Sequence, residues 1–204
     1  MGWTLAEAAI AQTRYVLVVR VPRPVEVRIE DVYLSLAGTT KPVMGFHITL
    51  LGPCFLADPE GAKSQFISRV KDVCRRRKPL GVRLRKLGAF RGKDNNVVYL
   101  RITRPGAILT LHRDLLAATS GLIIPQDERY REWYTTSYQP HVTLGLGLSD
   151  RELEGLLHEG TPRQFDESFE TSHIWLVEQS PQGPWQYVAE FPLEGSRMSD
   201  VPMA

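Results

Sequence analysis

Phe46-His47-Ile48-Thr49-Leu50-Leu51 and Tyr138-Gln139-Pro140-His141-Val142-Thr143-Leu144 decide the reading of this chain. Successive side chains of a strand alternate faces, so the His and Thr of each stretch point one way while Ile48 and Leu50, or Val142 and Leu144, point the other. Each stretch therefore reads as a half-buried strand that offers one imidazole and one hydroxyl to a single surface. The two stretches also share the elements that come after them. After the first, Gly52-Pro53 stops the strand, and Asp58 as N-cap with Pro59 as first helical residue predicts a helix to about Arg77. Two strands, about Val82 to Leu87 and Asn96 to Ile102, then flank an Arg91-Gly-Lys-Asp-Asn-Asn turn. After the second, Ser149-Asp-Arg-Glu152 is a capping box opening a helix to about Gly160. A strand pair comes next, about Ser168 to Glu178 and Trp185 to Leu193, turning at Ser180-Pro-Gln-Gly183. The same order at an offset of 94 residues reads as an internal duplication.

The rest of the chain fits around these two units. Thr4-Leu-Ala-Glu7 predicts a capped N-terminal helix, Arg14 to Val21 a buried strand, and Val25 to Leu36 and Ile108 to Thr119 two further helices. Pro125 to Tyr138 is charged and aromatic with no clear period. The expected organisation is a helical extension over 1–13, one two-lobed domain over 14–193 and a flexible tail over 194–204. The implied fold class is α+β and bilobal: two pseudo-symmetric antiparallel-sheet lobes with helices outside and a central groove.

Composition excludes several classes. The chain has 204 residues, 43% hydrophobic and 24% charged, which is ordinary globular material. Its longest apolar runs span four or five residues, far below the roughly 20 needed to cross a bilayer, and neither a leader nor a lipidation signal is apparent, so a cytoplasmic protein is expected. Cys54 and Cys74 lack metal-ligand spacing. Lys63 to Arg104 holds 14 Lys or Arg against Asp72 and Asp94, so that segment is +12 and the remainder −10. Such asymmetry provides either a field for an anionic ligand or a solvated helix face and strand edge.

If the two halves are related by a pseudo-twofold axis, the two His-Thr pairs converge on one cleft. Phosphodiester cleavage needs a base on one side of phosphorus, an acid on the other, and donors for the equatorial oxygens. Two imidazoles, with ordinary pKa near 6.5, and two neutral hydroxyls supply those parts. No Asp or Glu lies within eight residues of His47 or His141, so neither motif carries the carboxylates that hold Mg²⁺. A metal role with the two His as ligands would leave a poor coordination set. No cofactor is expected.

The paired His-x-Thr-Leu strands, the capped helix and hairpin after each, and the Tyr138-Gln139-Pro140-His141 entry resemble the two-histidine phosphoesterase superfamily, in its cyclic phosphodiesterase or 2′-5′ RNA ligase branch. The resemblance spans about Arg14 to Leu193. It implies a groove for RNA ends or small nucleotides bearing a 2′,3′-cyclic phosphate, with His47 and His141 as the catalytic pair and Thr49 and Thr143 on the phosphate. It further implies His141 as base toward water and His47 as acid. No metal is required, and a monomer is expected. Many members carry a basic residue after the second motif, where this chain has Gly145-Leu-Gly147.

Phe46 and Tyr138 flank the histidines and are candidate base-stacking contacts, although both are out of phase with the His face. Arg131 and Trp133, in the aromatic stretch before the second motif, are candidate substrate contacts on a lid, or parts of a surface loop. Arg83 and Arg85 share one strand face and either line the groove or are solvated. His112, His158 and His173 read as structural or surface residues. A non-catalytic RNA or nucleotide binder that keeps the groove is the competing function.

Overall fold

Five consecutive buried residues, Tyr15 to Val19, make β1 (Arg14–Arg20) a strand covered on both faces. The computed structural model describes residues 12–59, 61–93 and 95–195, apart from the side chains of Glu128 and Arg129. The expected helix at Thr4 to Glu7 lies outside the described residues, as does the tail from 196 onward. Glu194 and Gly195 are tied down, with Gly195 donating to the Arg77 carbonyl at 2.8 Å and Glu194 beside Arg75 at 3.8 Å.

The further strands are β2 (His47–Leu56), β3 (Leu80–Phe90), β4 (Asn96–Thr103), β5 (Ile123–Pro125), β6 (His141–Leu148), β7 (Asp166–Thr171), β8 (His173–Gln179) and β9 (Trp185–Pro192). They form one antiparallel sheet in the order β7-β3-β4-β6-β2-β1-β8-β9, with β5 beside β2. The helices are α1 (Arg23–Tyr33), α2 (Ala62–Arg75), α3 (Gly106–Ala118), α4 (Glu128–Glu132) and α5 (Asp150–Gly160), and a π-helical turn, Trp133–Ser137, precedes β6. The fold is α+β with two four-stranded halves. β6-β4-β3-β7 and β2-β1-β8-β9 join along β6 and β2, where Ile48 registers with Val142.

That topology exchanges the hairpins. The β3–β4 hairpin, which follows His47 in sequence, pairs with β6, and β8–β9, which follows His141, pairs with β1. The sequence reads Ser168 to Glu178 as one strand. It breaks instead at Ser172, because β7 adds to the β3 edge and β8 to the β1 edge, two edges of the curled sheet that come close enough for one residue to bridge them. Helix α2 starts at Ala62, not at Asp58. Gly61 is its N-cap, and Asp58-Pro59 belongs to the preceding turn, the Asp58 carbonyl accepting from the Ala62 N–H at 2.9 Å. The Ser149 capping box forms as read, with Glu152 N–H on Ser149 Oγ and Ser149 N–H on Glu152 Oε2.

The main core lies between one sheet face and the helices, built on β2 from Ile48, Leu50, Leu51 and Cys54, and on β6 from Val142, Leu144 and Leu148. Phe66, Val70, Val73 and Cys74 of α2 and Ile108, Leu111 and Leu115 of α3 close it from outside. At about 1.5–3 kcal/mol per buried aliphatic or aromatic side chain, this face fixes which way every strand residue points. A second small cluster of Val16, Val18 and Val177, with Met44, Trp175 and Trp185, lies on the opposite face. Among the described residues no helix is long and apolar enough to cross a membrane.

Candidate active site

His47 and Thr49 on β2, and His141 and Thr143 on β6, are each partly exposed, and each is followed by a fully buried neighbour. The alternation read from sequence therefore holds at both motifs. Extending the Ile48–Val142 register by one residue each way sets Thr143 across from His47 and His141 across from Thr49. The four side chains form a two-by-two array on the groove face. The histidines occupy one diagonal, which in an antiparallel pair spans roughly 7 Å between backbones. The structure thus brings together the four residues the sequence paired.

Both imidazoles are held by the same device. Nδ1 of His47 lies 2.8 Å from the Gly45 carbonyl, and Nδ1 of His141 lies 2.7 Å from the Gln139 carbonyl, each two residues upstream. A carbonyl oxygen only accepts, so each Nδ1 carries hydrogen. Each Nε2 then has its lone pair available as a base when neutral, or an N–H available as an acid when charged. Burial pushes both imidazoles below the ordinary 6.5, against a smaller opposing effect of the backbone bond, and the nearby His47 lowers His141 further.

The surroundings of the two differ. His141 is boxed by Tyr99 at 4.9 Å, Phe90 at 5.0 Å and Trp133 at 6.5 Å between ring centroids. Tyr99 stacks on Phe90 at 4.4 Å, and its hydroxyl accepts from Gln139 Nε2 at 3.0 Å. Gly88 makes this packing possible, because a Cβ there would sit 2.6 Å from two carbons of the Tyr99 ring. His47 instead has Arg20 as its cross-strand partner, as His141 has Arg101.

Tyr138 has a bracing position. Its hydroxyl donates to the Thr49 carbonyl at 2.8 Å, and its ring stacks on His112 at 3.7 Å with Trp133 edge-on at 5.0 Å. Burial pushes its phenol well above the ordinary 10. His112, buried in α3, sets Nδ1 2.7 Å from the Leu50 carbonyl and Nε2 2.9 Å from the Tyr134 carbonyl. The pair thus ties β2 to the segment that enters β6. Phe46 corrects an expectation: it is 1% exposed and in the main core, so it is closed to a base, as strand alternation requires. Arg131 is exposed on α4. Arg83 grips Asp166 with two bonds at 2.6 Å, and Arg85 lies 3.5 Å from the same carboxylate. His158 is exposed near the end of α5, and His173 lies 3.6 Å from Glu190. Much of the cationic segment is likewise engaged: Lys63 with Glu178, Arg77 with Asp114 and Arg91 with Glu154. Sequence reading missed Arg20, Phe90, Tyr99 and Arg101, since only strand register brings them to the motifs. Among the described residues no group of three or more His, Cys, Asp or Glu is arranged to hold a metal ion.

The model of the 2′-5′ RNA ligase superfamily matches residues 21–183, most of the chain. The chain belongs to that superfamily. Among curated relatives, the Bacillus pumilus (strain SAFR-032) protein named "Putative phosphoesterase" is 27% identical over 145 residues, 71% of this chain and 77% of that one. A Bacillus cereus (strain B4264) protein of the same description is 27% identical over 139 residues, 68% and 73% of the two chains. The superfamily fold recurs in TT0787 of Thermus thermophilus, with a TM-score of 0.63 at 21% identity, covering 89% of this chain and 98% of that one. Escherichia coli LigT, solved in complex with 3′-AMP, gives 0.61 at 15% identity over 90% and 98%. Kluyveromyces marxianus Usb1 with uridine monophosphate gives 0.55 at 11% over 90% and 99%. The two-histidine phosphoesterase resemblance read from the motifs is thereby borne out, as is the fold.

Proposed function

We propose that this chain is a metal-independent phosphoesterase that hydrolyses a nucleotide phosphodiester, a 2′,3′-cyclic phosphate at an RNA end or on a small nucleotide, using His47 and His141 as acid and base. The observation that carries this reading is the matched Nδ1-to-carbonyl bond at both histidines. It leaves two Nε2 atoms, and no other ring nitrogen of the pair, to exchange protons with a ligand in the groove. Superfamily membership, and the nucleotides named with LigT and Usb1, support a nucleotide as the ligand.

The chemistry is one displacement at phosphorus. The phosphoryl group sits over the two-by-two array, with the Thr49 and Thr143 hydroxyls donating to its non-bridging oxygens as negative charge builds there. The neutral imidazole, His141 in this reading, takes a proton from water at Nε2 while the water oxygen bonds to phosphorus. The charged imidazole, His47, gives its Nε2 proton to the ribose oxygen as the P–O bond breaks. One proton enters and one leaves the pair, and exchange with solvent restores the starting state. Each transfer contributes typically 10² to 10⁴-fold.

The test is turnover of a panel of nucleoside 2′,3′-cyclic phosphates, cyclic-ended RNA and 2′-5′-linked dinucleotides, with product analysis for the ester broken. His47→Ala and His141→Ala should each lower kcat at least about 10²-fold, and the double variant should cost less than the two separately, because the pair acts as a unit. EDTA should leave turnover intact. Near wild-type kcat in either single variant would exclude the mechanism. Strict dependence on an added divalent ion would exclude its metal independence.

A further inference from the structure

Resting on the phosphoesterase reading above, we propose that Arg20 forms a second anion subsite beside His47, one that takes an additional phosphate of the substrate on that side of the scissile bond. Arg20 and His47 are direct cross-strand partners, so their side chains leave the sheet on the same groove face. The guanidinium leans away from His47 across the lobe. It lies 4.6 Å above the ring of Tyr187 on β9 and 5.7 Å from that of Trp175 on β8. Arg20 stands on the strand next to His47 and faces the same groove, placed to take a second phosphate of the same ligand.

Three observations single Arg20 out from a solvated surface arginine. It is exposed, yet among the described residues no carboxylate lies within ion-pair distance of it. Glu26, the acid felt at the Tyr187 ring with Arg20, is engaged by Arg23, Lys41 and the Phe46 N–H. Glu190, across from Trp175, is beside His173. The platform under the guanidinium is also rigid, because the Tyr187 hydroxyl donates to the Met44 carbonyl at 2.7 Å, in the loop that leads into His47. A guanidinium lying along fixed rings keeps its N–H fork pointing outward, and a planar fork matches two phosphate oxygens at once. Finally, a recess of about 390 Å³ opens next to it, lined by Arg20, Arg23, His173 and Trp175 and also by two carboxylates, Glu26, which Arg23 and Lys41 engage, and Glu170. The symmetry-related Arg101 is not equivalent: its Nε donates to the Leu87 carbonyl at 3.1 Å, over Gly88. The extra phosphate is therefore expected on the His47 side alone.

Binding to the full chain tests this by calorimetry with three ligands: 3′-AMP, adenosine 3′,5′-bisphosphate, and the dinucleotide ApAp with a terminal 3′-phosphate. At least one two-phosphate ligand should bind about tenfold or more tighter than 3′-AMP. Arg20→Gln should abolish that gain and leave 3′-AMP binding within twofold of wild type. A gain with the bisphosphate identifies a terminal 5′-phosphate as the second anion, and a gain with ApAp identifies an internucleotide phosphate. No gain with either ligand overturns the subsite, and so does an equal loss for all three in Arg20→Gln. The catalytic reading is judged separately, by turnover in His47→Ala. If that variant is inactive while Arg20→Gln fails to discriminate, only the subsite is lost.

Discussion

Adding one methyl group at Gly88 should disable the site without touching a motif residue. An ideal Cβ at Gly88 would lie 2.6 Å from Cε2 and Cζ of Tyr99 and 2.7 Å from Arg101 Nε, about 0.8 Å inside an ordinary contact of 3.4 Å. Arg101 is exposed and can move aside. Tyr99 cannot easily do so, since it is 2% exposed, stacked on Phe90, bonded to Gln139 and 4.9 Å from His141. Shifting the ring by most of an ångström pushes on the His141 imidazole itself and on Gln139, whose carbonyl fixes Nδ1. Overpacking of this kind costs about 1–3 kcal/mol, and misplacing a catalytic group by about 1 Å costs on the order of 10²-fold in rate. Gly88→Ala is therefore expected to lower the melting temperature by several degrees and kcat by 10 to 10²-fold. Gly81→Ala provides the control on the same strand, because nothing lies within 4 Å of a Cβ there. The measurements are thermal melting and kcat on a 2′,3′-cyclic nucleotide for both variants. Wild-type kcat in a destabilised Gly88→Ala would refute the idea that Tyr99 braces His141, and wild-type values of both would refute the packing argument.

Three other outcomes are expected. Burial lowers both imidazoles below 6.5, His141 also through His47, so the state with one neutral and one charged histidine is most populated below pH 6.5 in the free protein. The bell of kcat/KM should peak there, and the kcat bell should lie at higher pH because bound phosphoryl anion favours imidazolium; a flat profile, or a kcat/KM maximum above pH 7.5, would contradict this. The same depression makes the unfolded chain bind more protons than the folded one between the lowered values and 6.5, so stability rises with pH across that window and is lost on acidification. Urea midpoints at pH 7.5 and 5 should differ less in the His47→Gln, His141→Gln double variant than in wild type, and an equal acid loss in both would place the effect elsewhere. Tyr138→Phe removes the donor to the Thr49 carbonyl, 2.8 Å away, and should cost about 1–3 kcal/mol of stability for the unpaired acceptor; unchanged denaturant midpoints would show that water replaces the hydroxyl.

The parts of the fold and site legible in sequence were those governed by local periodicity. Ile48, Leu50, Val142 and Leu144 are buried where a two-residue period puts them, so the faces of His47, Thr49, His141 and Thr143 follow from the chain alone. The Ser149 box and the β3–β4 hairpin are local too. Ser172 carries no breaker signal, because the break arises from the pairing of one segment with two different sheet edges, β3 and β1. Phe90, Tyr99 and Arg101 were invisible for the same reason: each reaches His141 through the pairing of β3 with β4 and of β4 with β6. The Tyr138 ring is visible beside the second motif in sequence, but its hydroxyl partner is 89 residues away.

Gly145, two residues after Thr143, is glycine for a physical reason. A Cβ at Gly145 would lie 2.5 Å from the Gly38 carbonyl, and the Thr40 N–H donates to the Leu144 carbonyl at 2.8 Å. The Gly38 to Pro42 loop therefore lies directly against β6 before it delivers the chain into His47. β2 and β6 share a single registered pair, so this loop, like the Tyr138–His112 pair, is a further tie across the seam on which the separation of the two histidines depends. Glycine at 145 is the residue that lets backbone meet backbone there. A side chain at that position would push the loop, and with it the entry to His47, away from His141. Gly145 thus serves a contact that positions His47 from the strand that carries His141, and Arg20 and Arg101, brought in by neighbouring strands, stand beside the two motifs.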